Sequence, residues 1–160
     1  MTYASQTSVP VEKSRMEIER TLQRFGARKF VYGWDQEEAV VGFVYGGDDN
    51  LRQIRFKVTV PPLGDFRLTP NKRQRRSDGA MHKEWEQAQR QRWRALLLVI
   101  KAKLEAIEAG IATFEDEFLA YTMLPTGETV GEWVAPQLNE VYEKGIMPSS
   151  LTLALPSGKS

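Results

Sequence analysis

The stretch EAVVGFVYGGDDNLRQIRFKVTV, residues 38–60, decides the fold. Its second half alternates apolar and polar side chains, as a strand with two different faces does: Ile54, Phe56, Val58 and Val60 against Gln53, Arg55, Lys57 and Thr59. Its first half places Val41, Phe43 and Tyr45 on one face. The glycine-rich residues between the halves are typical of a hairpin loop. The stretch therefore predicts two antiparallel strands, residues 38–45 and 53–60.

The pattern continues on both sides of this hairpin. Residues 29–34 alternate Phe30, Tyr32 and Trp34 with other side chains, which predicts a third strand, joined by a polar turn at residues 35–37. Helical spacing of apolar residues predicts helices at residues 11–25, 81–109, 114–121 and 130–143. The expected fold is α+β, with an N-terminal helix, a three-stranded antiparallel meander, a long amphipathic helix and short C-terminal helices.

A chain of 160 residues is most simply one domain. We expect that domain to span residues 11–147, with a flexible leader at residues 1–10 and a flexible tail at residues 148–160. Residues 61–80 hold three prolines and a cluster of basic residues, which predicts a mobile basic loop between the last strand and the long helix.

Charge is distributed unevenly along the chain. The formal net charge is only +1, yet residues 52–103 carry fourteen basic and four acidic residues, a local charge of +10. Residues 104–160 carry two basic and nine acidic residues, a local charge of −7. A basic segment of this strength attracts a polyanion or an acidic protein surface, including that of a second copy.

The basic segment supplies the candidate site. Several cations close together, each able to neutralise a phosphate, are what a nucleic-acid backbone needs. Tyr45, next to the glycine-rich loop, is the aromatic residue expected to be exposed for base stacking. The complete candidate set is Arg55, Lys57, Lys72, Arg73, Arg75, Arg76, Arg90, Arg94, Lys101 and Tyr45. The helical cations and Arg55 and Lys57 are expected to share one continuous surface. The alternative is a charged face that is neutralised by the acidic C-terminal third or docks on a protein partner.

Signatures of catalysis are missing from the sequence. There is no cysteine and a single histidine, His82, so a Ser–His pair or a zinc site is not expected. No phosphate-binding loop of the GxxxxGK[ST] type and no GxSxG motif occurs. The acids at residues 115–117 fit a helix N-terminus better than a Mg²⁺ site. We expect a protein that is not an enzyme and needs no cofactor.

Localisation follows from what the sequence does not contain. No apolar run approaches the ~18–20 residues of a membrane span, and the N-terminus has no apolar signal core. We expect a cytoplasmic protein that does not enter a membrane.

The order of helix, three strands and long helix resembles two groups of nucleic-acid-binding proteins. One is the double-stranded-RNA-binding domain, whose lysine-rich helix start and loop histidine motif are not visible here. The other is the single-strand annealing proteins of phage and eukaryotic recombination, similar in the meander at residues 30–60 and the helix at residues 81–109. That resemblance implies an ATP-independent, oligomeric protein that binds single-stranded DNA between sheet and helix.

The chain also resembles small proteins of phages, prophages and other mobile elements. The similar stretches are SRMEIERTLQRFGA, residues 14–27, and RQRWRALLLVIKAKLEAIEAGIATFEDEFLAY, residues 90–121. This resemblance implies a bacterial host cell as the setting. It leaves two functions open: single-strand binding in phage-type recombination, and an interaction protein that binds or inhibits a host protein.

Overall fold

The computed structural model describes residues 4–34 and 38–146. Its elements in chain order are α1 (Val11–Phe25), β1 (Arg28–Trp34), β2 (Glu38–Tyr45), β3 (Arg52–Thr59), α2 (Asp78–Glu108), α3 (Phe114–Glu117) and α4 (Val130–Lys144). Two short 3₁₀ helices lie at Leu63–Phe66 and Leu119–Tyr121. The predicted α+β class and the predicted order of elements are confirmed.

The three strands form one antiparallel sheet in the order β1-β2-β3. Phe43 lies opposite Ile54 and Val41 opposite Phe56, so the apolar sets of β2 and β3 share a face. These four side chains are almost completely buried. The apolar residues that alternate along residues 38–60 therefore face the core, and the polar residues between them face the outer side of the sheet.

Two helices cover the core face. α1 contributes Ile18 and Leu22, and α2 contributes one stripe of buried side chains: Trp93, Leu97, Ile100 and Leu104. The stripe repeats every three or four residues, which places it on one side of the helix. α1 also packs along α2, so the sheet supports a layer of two helices.

Helix ends explain where the predicted bounds differ from the structure. α2 begins three residues before the predicted start because the Ser77 hydroxyl accepts a hydrogen bond from the Ala80 amide, 3.2 Å away. Thr113 caps α3 as its position before an acidic turn indicates, but the single helix predicted at residues 114–121 is wrong. It is divided at Phe118 into α3 and a 3₁₀ helix.

The segment before α1 makes specific contacts in its described part. Ala4 is buried, and the Gln87 side-chain amide on α2 donates to the carbonyls of Ser5 and Thr7. Residues 1–3, the predicted turn at residues 35–37, and residues 147–160 with the predicted tail lie outside the described residues. The predicted domain boundaries stay predictions.

Core packing on α2 leads to a stability prediction. Trp93→Ala and Leu97→Ala should each lower the free energy of unfolding by about 2–5 kcal/mol, because both side chains are buried beneath the sheet. Arg73→Ala and Arg75→Ala, at exposed positions, should change it by less than about 0.5 kcal/mol. Urea denaturation measures all four. A smaller effect for the core variants than for the arginine variants would contradict this arrangement of α2.

The turn between β2 and β3 gives a second prediction. Gly46 has a φ of +111°, and a Cβ there would overlap the backbone oxygen of Asn50. Gly46→Ala should therefore cost about 1–3 kcal/mol in unfolding free energy. Gly47→Ala is the matched control, because a Cβ at Gly47 would meet nothing within 4 Å. Equal denaturation midpoints for the two variants would show that the turn tolerates a side chain at Gly46.

Candidate nucleic-acid interface

The segment before α2 folds into a small hairpin, residues 67–76, which we call the basic hairpin. Leu68 and Arg75 form a backbone bridge, and the Arg76 amide donates to the Arg67 carbonyl at 2.7 Å. At the tip, the Asn71 side-chain oxygen accepts from the Thr69 hydroxyl at 2.6 Å and from the Arg73 amide at 3.2 Å. The segment predicted to be mobile therefore contains a hydrogen-bonded turn. Its mobility stays a prediction.

Two arginines of the basic hairpin hold it together. Arg67 forms an ion pair with Asp78 at the start of α2, with N and O atoms 2.5 Å apart. This hydrogen bond lowers the pKa of the Asp78 carboxyl. The Arg76 guanidinium donates to the carbonyls of Phe66 and Leu68, at 3.0 and 2.9 Å. Both side chains are engaged in anchoring the hairpin to the domain.

The other three cations of the basic hairpin are exposed: Lys72, Arg73 and Arg75. Within residues 4–34 and 38–146, their side chains form no ion pair or hydrogen bond. They lie within four residues of one another in the sequence, on the same hairpin. They are a compact group of charges available to an anion.

Cations on α2 have partners inside the molecule. Arg94 and Lys101 both form ion pairs with Glu17 of α1, at 3.3 and 3.6 Å. Arg90 donates twice to the side-chain oxygen of Gln87, the residue that holds the N-terminal segment. These three residues share an arc of α2, as their spacing indicates, and that arc adjoins α1.

Arg55 and Lys57 lie on the other side of the sheet. Their neighbours Ile54 and Phe56 point into the core under α2, so the alternation of β3 directs both cations to the outer face. There they pair with Glu132 of α4, at 2.5 Å for Arg55 and 3.0 Å for Lys57. The expectation of one surface joining them to the cations of α2 is wrong, because the sheet lies between the two groups.

Tyr45 is partly buried against the core, with its ring stacked on other aromatic rings. Its ring stacks on Phe114 with the centroids 3.7 Å apart and on Phe25 at 5.6 Å. The expectation that it is exposed beside the glycine-rich loop is wrong. The sequence contained the correcting signal, because alternation places Tyr45 on the same face of β2 as Phe43.

Glu132 pairs with two of the candidate cations and was not among the residues that the sequence singled out. Its carboxylate accepts from the Thr129 amide at 2.8 Å while the Thr129 hydroxyl caps the Glu132 amide, a capping box at the start of α4. The Thr129 amide, together with Lys57 and Arg55, lowers the pKa of Glu132 to about 2. The motif Thr129-x-x-Glu132 signals such a cap from sequence alone.

Two titratable side chains outside the candidate set, His82 and Tyr32, have defined surroundings. His82 lies exposed on the first turn of α2, with its Nδ1 atom 2.9 Å from the Asp78 carbonyl. Burial raises the pKa of Tyr32 to about 12, and its hydroxyl donates to the Arg15 carbonyl. Among the described residues, no three acids or histidines are grouped so that they could hold a metal ion. None of the helices in this part of the chain is long and apolar enough to cross a membrane.

Comparison with family models, curated proteins and solved structures found no match for this chain. The site is therefore interpreted from the chain's own residues and their geometry.

The Glu132 cluster predicts a pH-dependent contribution to stability. Because the pKa of Glu132 is lower in the folded protein than its ordinary value of 4.5, its contribution is fully present above 4.5 and is lost as the pH falls through about 2. Glu132→Gln keeps a capping side chain but removes the charge. The wild type should unfold at higher urea concentration than this variant at neutral pH, and the difference should vanish near pH 2.

Glu128→Gln is the matched control for that series, since Glu128 is an exposed acid four residues earlier with no side-chain partner in the described part of the chain. Its urea midpoint should follow that of the wild type at every pH. A midpoint difference for Glu132→Gln that stays constant from neutral pH to pH 2 would contradict the assigned ion pairs.

Proposed function

We propose that this protein binds the phosphate backbone of nucleic acid without catalysing a reaction, and that the basic hairpin is the contacting element. One observation carries the proposal. Lys72, Arg73 and Arg75 are exposed, adjacent and without side-chain partners among the described residues.

Geometry favours a polyanion over a single small anion. Lys72, Arg73 and Arg75 put three positive charges on four residues of a hairpin, more than one small anion neutralises. Duplex DNA carries one charge per ~1.7 Å of axis, so several phosphates lie within reach of one hairpin. The hairpin also projects from anchored arginines, which lowers the entropy lost when its tip is ordered on a ligand.

The candidate residues contribute to this proposal unequally. Arg55, Lys57, Arg94 and Lys101 are paired with Glu132 or Glu17, so an anion would compete with a carboxylate for each of them. Arg76 holds the hairpin, and Tyr45 is packed against Phe114. The cations at the hairpin tip, Lys72, Arg73 and Arg75, are therefore the main phosphate contacts in this proposal.

Phosphate contacts alone do not distinguish one strand from two. The narrower form of the proposal is single-stranded DNA binding by an oligomer in phage-type recombination, and it is supported by the resemblance of the sequence. Competition between single- and double-stranded DNA and RNA in a gel-shift series decides that form.

A second candidate function has one observation in its favour. Acids from α1 and α4 form ion pairs with four of the candidate cations: Arg55, Lys57, Arg94 and Lys101. Cations paired in this way are compatible with a protein that has no nucleic-acid partner. Such a protein would dock on an acidic surface of a host or phage protein through the basic hairpin. Failure of every nucleic acid to bind in low salt would favour this candidate.

The primary test replaces the three tip cations together. Lys72→Gln, Arg73→Gln and Arg75→Gln should weaken binding to single-stranded DNA and flatten the slope of log K against log salt by about 2 units, at ~0.7 per lost phosphate contact. Fluorescence anisotropy across a salt series measures both. The fold should be unaffected, since these side chains are exposed and substitutions at such positions change stability little.

The matched control removes three other exposed cations, with Lys13→Gln, Lys29→Gln and Arg52→Gln. It lowers the net charge by the same amount at sites away from the basic hairpin. Equal weakening by the two triple variants would mean that net charge, and not the hairpin, drives binding, and the proposal would fail.

A further inference from the structure

A groove between α1 and α2 is lined by positive charge that the basic hairpin does not explain. It has a volume of about 440 Å³, and the cations that line it are Arg20 and Arg24 from α1 and Lys101 from α2. Thr21 adds a hydroxyl to the same wall. Glu17 also lines the groove, so its lining carries three positive charges and one negative charge. A concave surface with an excess of one sign of charge concentrates oppositely charged ligands.

Charge within this groove is unbalanced. Arg20 and Arg24 are four residues apart, so they lie on the same side of α1. Neither has an ion pair or hydrogen bond in the described part of the chain. Glu17, the acid on this wall, is already shared by Arg94 and Lys101. Arg20 and Arg24 are therefore left without a carboxylate of their own on this wall of the groove.

Acidic residues limit the groove at its other end. An adjoining cavity that shares Thr21, Arg24 and Lys101 extends to Glu105 and Glu108. These carboxylates repel a phosphate, which confines an anion to the end near Arg20 and Lys101. The site therefore suits a short length of backbone that crosses the groove.

The groove and the basic hairpin lie along the same helix. Asp78, the anchor of the hairpin, and Lys101 are separated by twenty-three residues of α2, or about 35 Å at ~1.5 Å per residue. That span equals about ten nucleotides at the ~3.4 Å rise of a strand stacked as in a duplex, and fewer nucleotides of an extended single strand. Arg90 and Arg94 lie between the two sites on the arc of α2 that adjoins α1.

We infer that the groove between α1 and α2 is a second phosphate-binding site, which holds the same nucleic-acid strand as the basic hairpin at the start of α2. This inference rests on the proposed function. Two linked sites act as one bivalent surface, so a strand long enough to reach both binds more tightly than one that reaches only the hairpin.

The test compares strand lengths. Single-stranded DNA of about 3 and about 15 nucleotides is titrated by fluorescence anisotropy against the wild type and the Arg20→Gln, Arg24→Gln variant. The wild type should bind the longer strand at least about tenfold more tightly. The groove variant should lose this gain, lower the salt slope for the longer strand by about 1.4 units, and bind the shorter strand like the wild type.

Two controls make the result specific. Lys13→Gln with Lys29→Gln removes the same charge outside the groove and should keep the length gain. Stoichiometry measured at saturation should be one protein per 15-nucleotide strand, at ~3.4 Å per nucleotide. A ratio of one protein per strand shows that the higher affinity for the longer strand does not come from a second protein molecule bound to it.

The outcomes separate this inference from the function on which it rests. A groove variant that keeps the full length gain, while the hairpin variant loses binding, would overturn the inference and leave the proposed function standing. Wild type that binds neither length would overturn the proposed function and the inference with it. Circular dichroism shows that each variant is folded, and exposed arginines on α1 are expected to be replaceable without loss of structure.

Discussion

The contact of Phe118 with the sheet is the interaction on which the rest of the structure depends. Its ring meets Phe43 and Phe56 edge-on, with centroids 5.9 and 6.1 Å apart, and stacks on Phe114 at 4.5 Å. Phe118 is fully buried, so it joins two strands to the segment after α2 without contact with water. Edge-to-face pairs of this kind add to the free energy of apolar burial. They join the segment after α2 to the same core that α1 and α2 cover.

That core fixes the direction of Arg55 and Lys57 on β3. Once Ile54, Phe56 and Val58 face the helices, the pleat directs Arg55 and Lys57 to the opposite side. A shift of one residue in the register would bury both cations, at a cost far above that of any surface ion pair. The outer face is therefore charged as a consequence of how the inner face packs, and Glu132 of α4 lies where it can pair with both cations.

Acids from the two ends of the chain offset the basic middle segment. Glu17 from α1 pairs with two cations of α2, and Glu132 from α4 pairs with two cations of β3. These contacts lower the self-repulsion of a segment whose formal charge is +10. They also divide the cations of this segment into those with a partner inside the molecule and those left to solvent, which include the three at the tip of the basic hairpin.

The sequence by itself determined the elements and the two faces of the sheet, because periods of two and of three to four residues are local properties of the chain. α1 has the predicted bounds, β2 has the predicted face, and both the Thr113 cap and the Thr129-x-x-Glu132 motif can be read from a few residues. Only the tertiary structure decided which charges are free. Glu17 is 77 residues from Arg94, and Glu132 is 77 residues from Arg55, so no local pattern pairs them. Their pairing depends on which helix lies on which side of the sheet, and packing of the whole chain sets that arrangement.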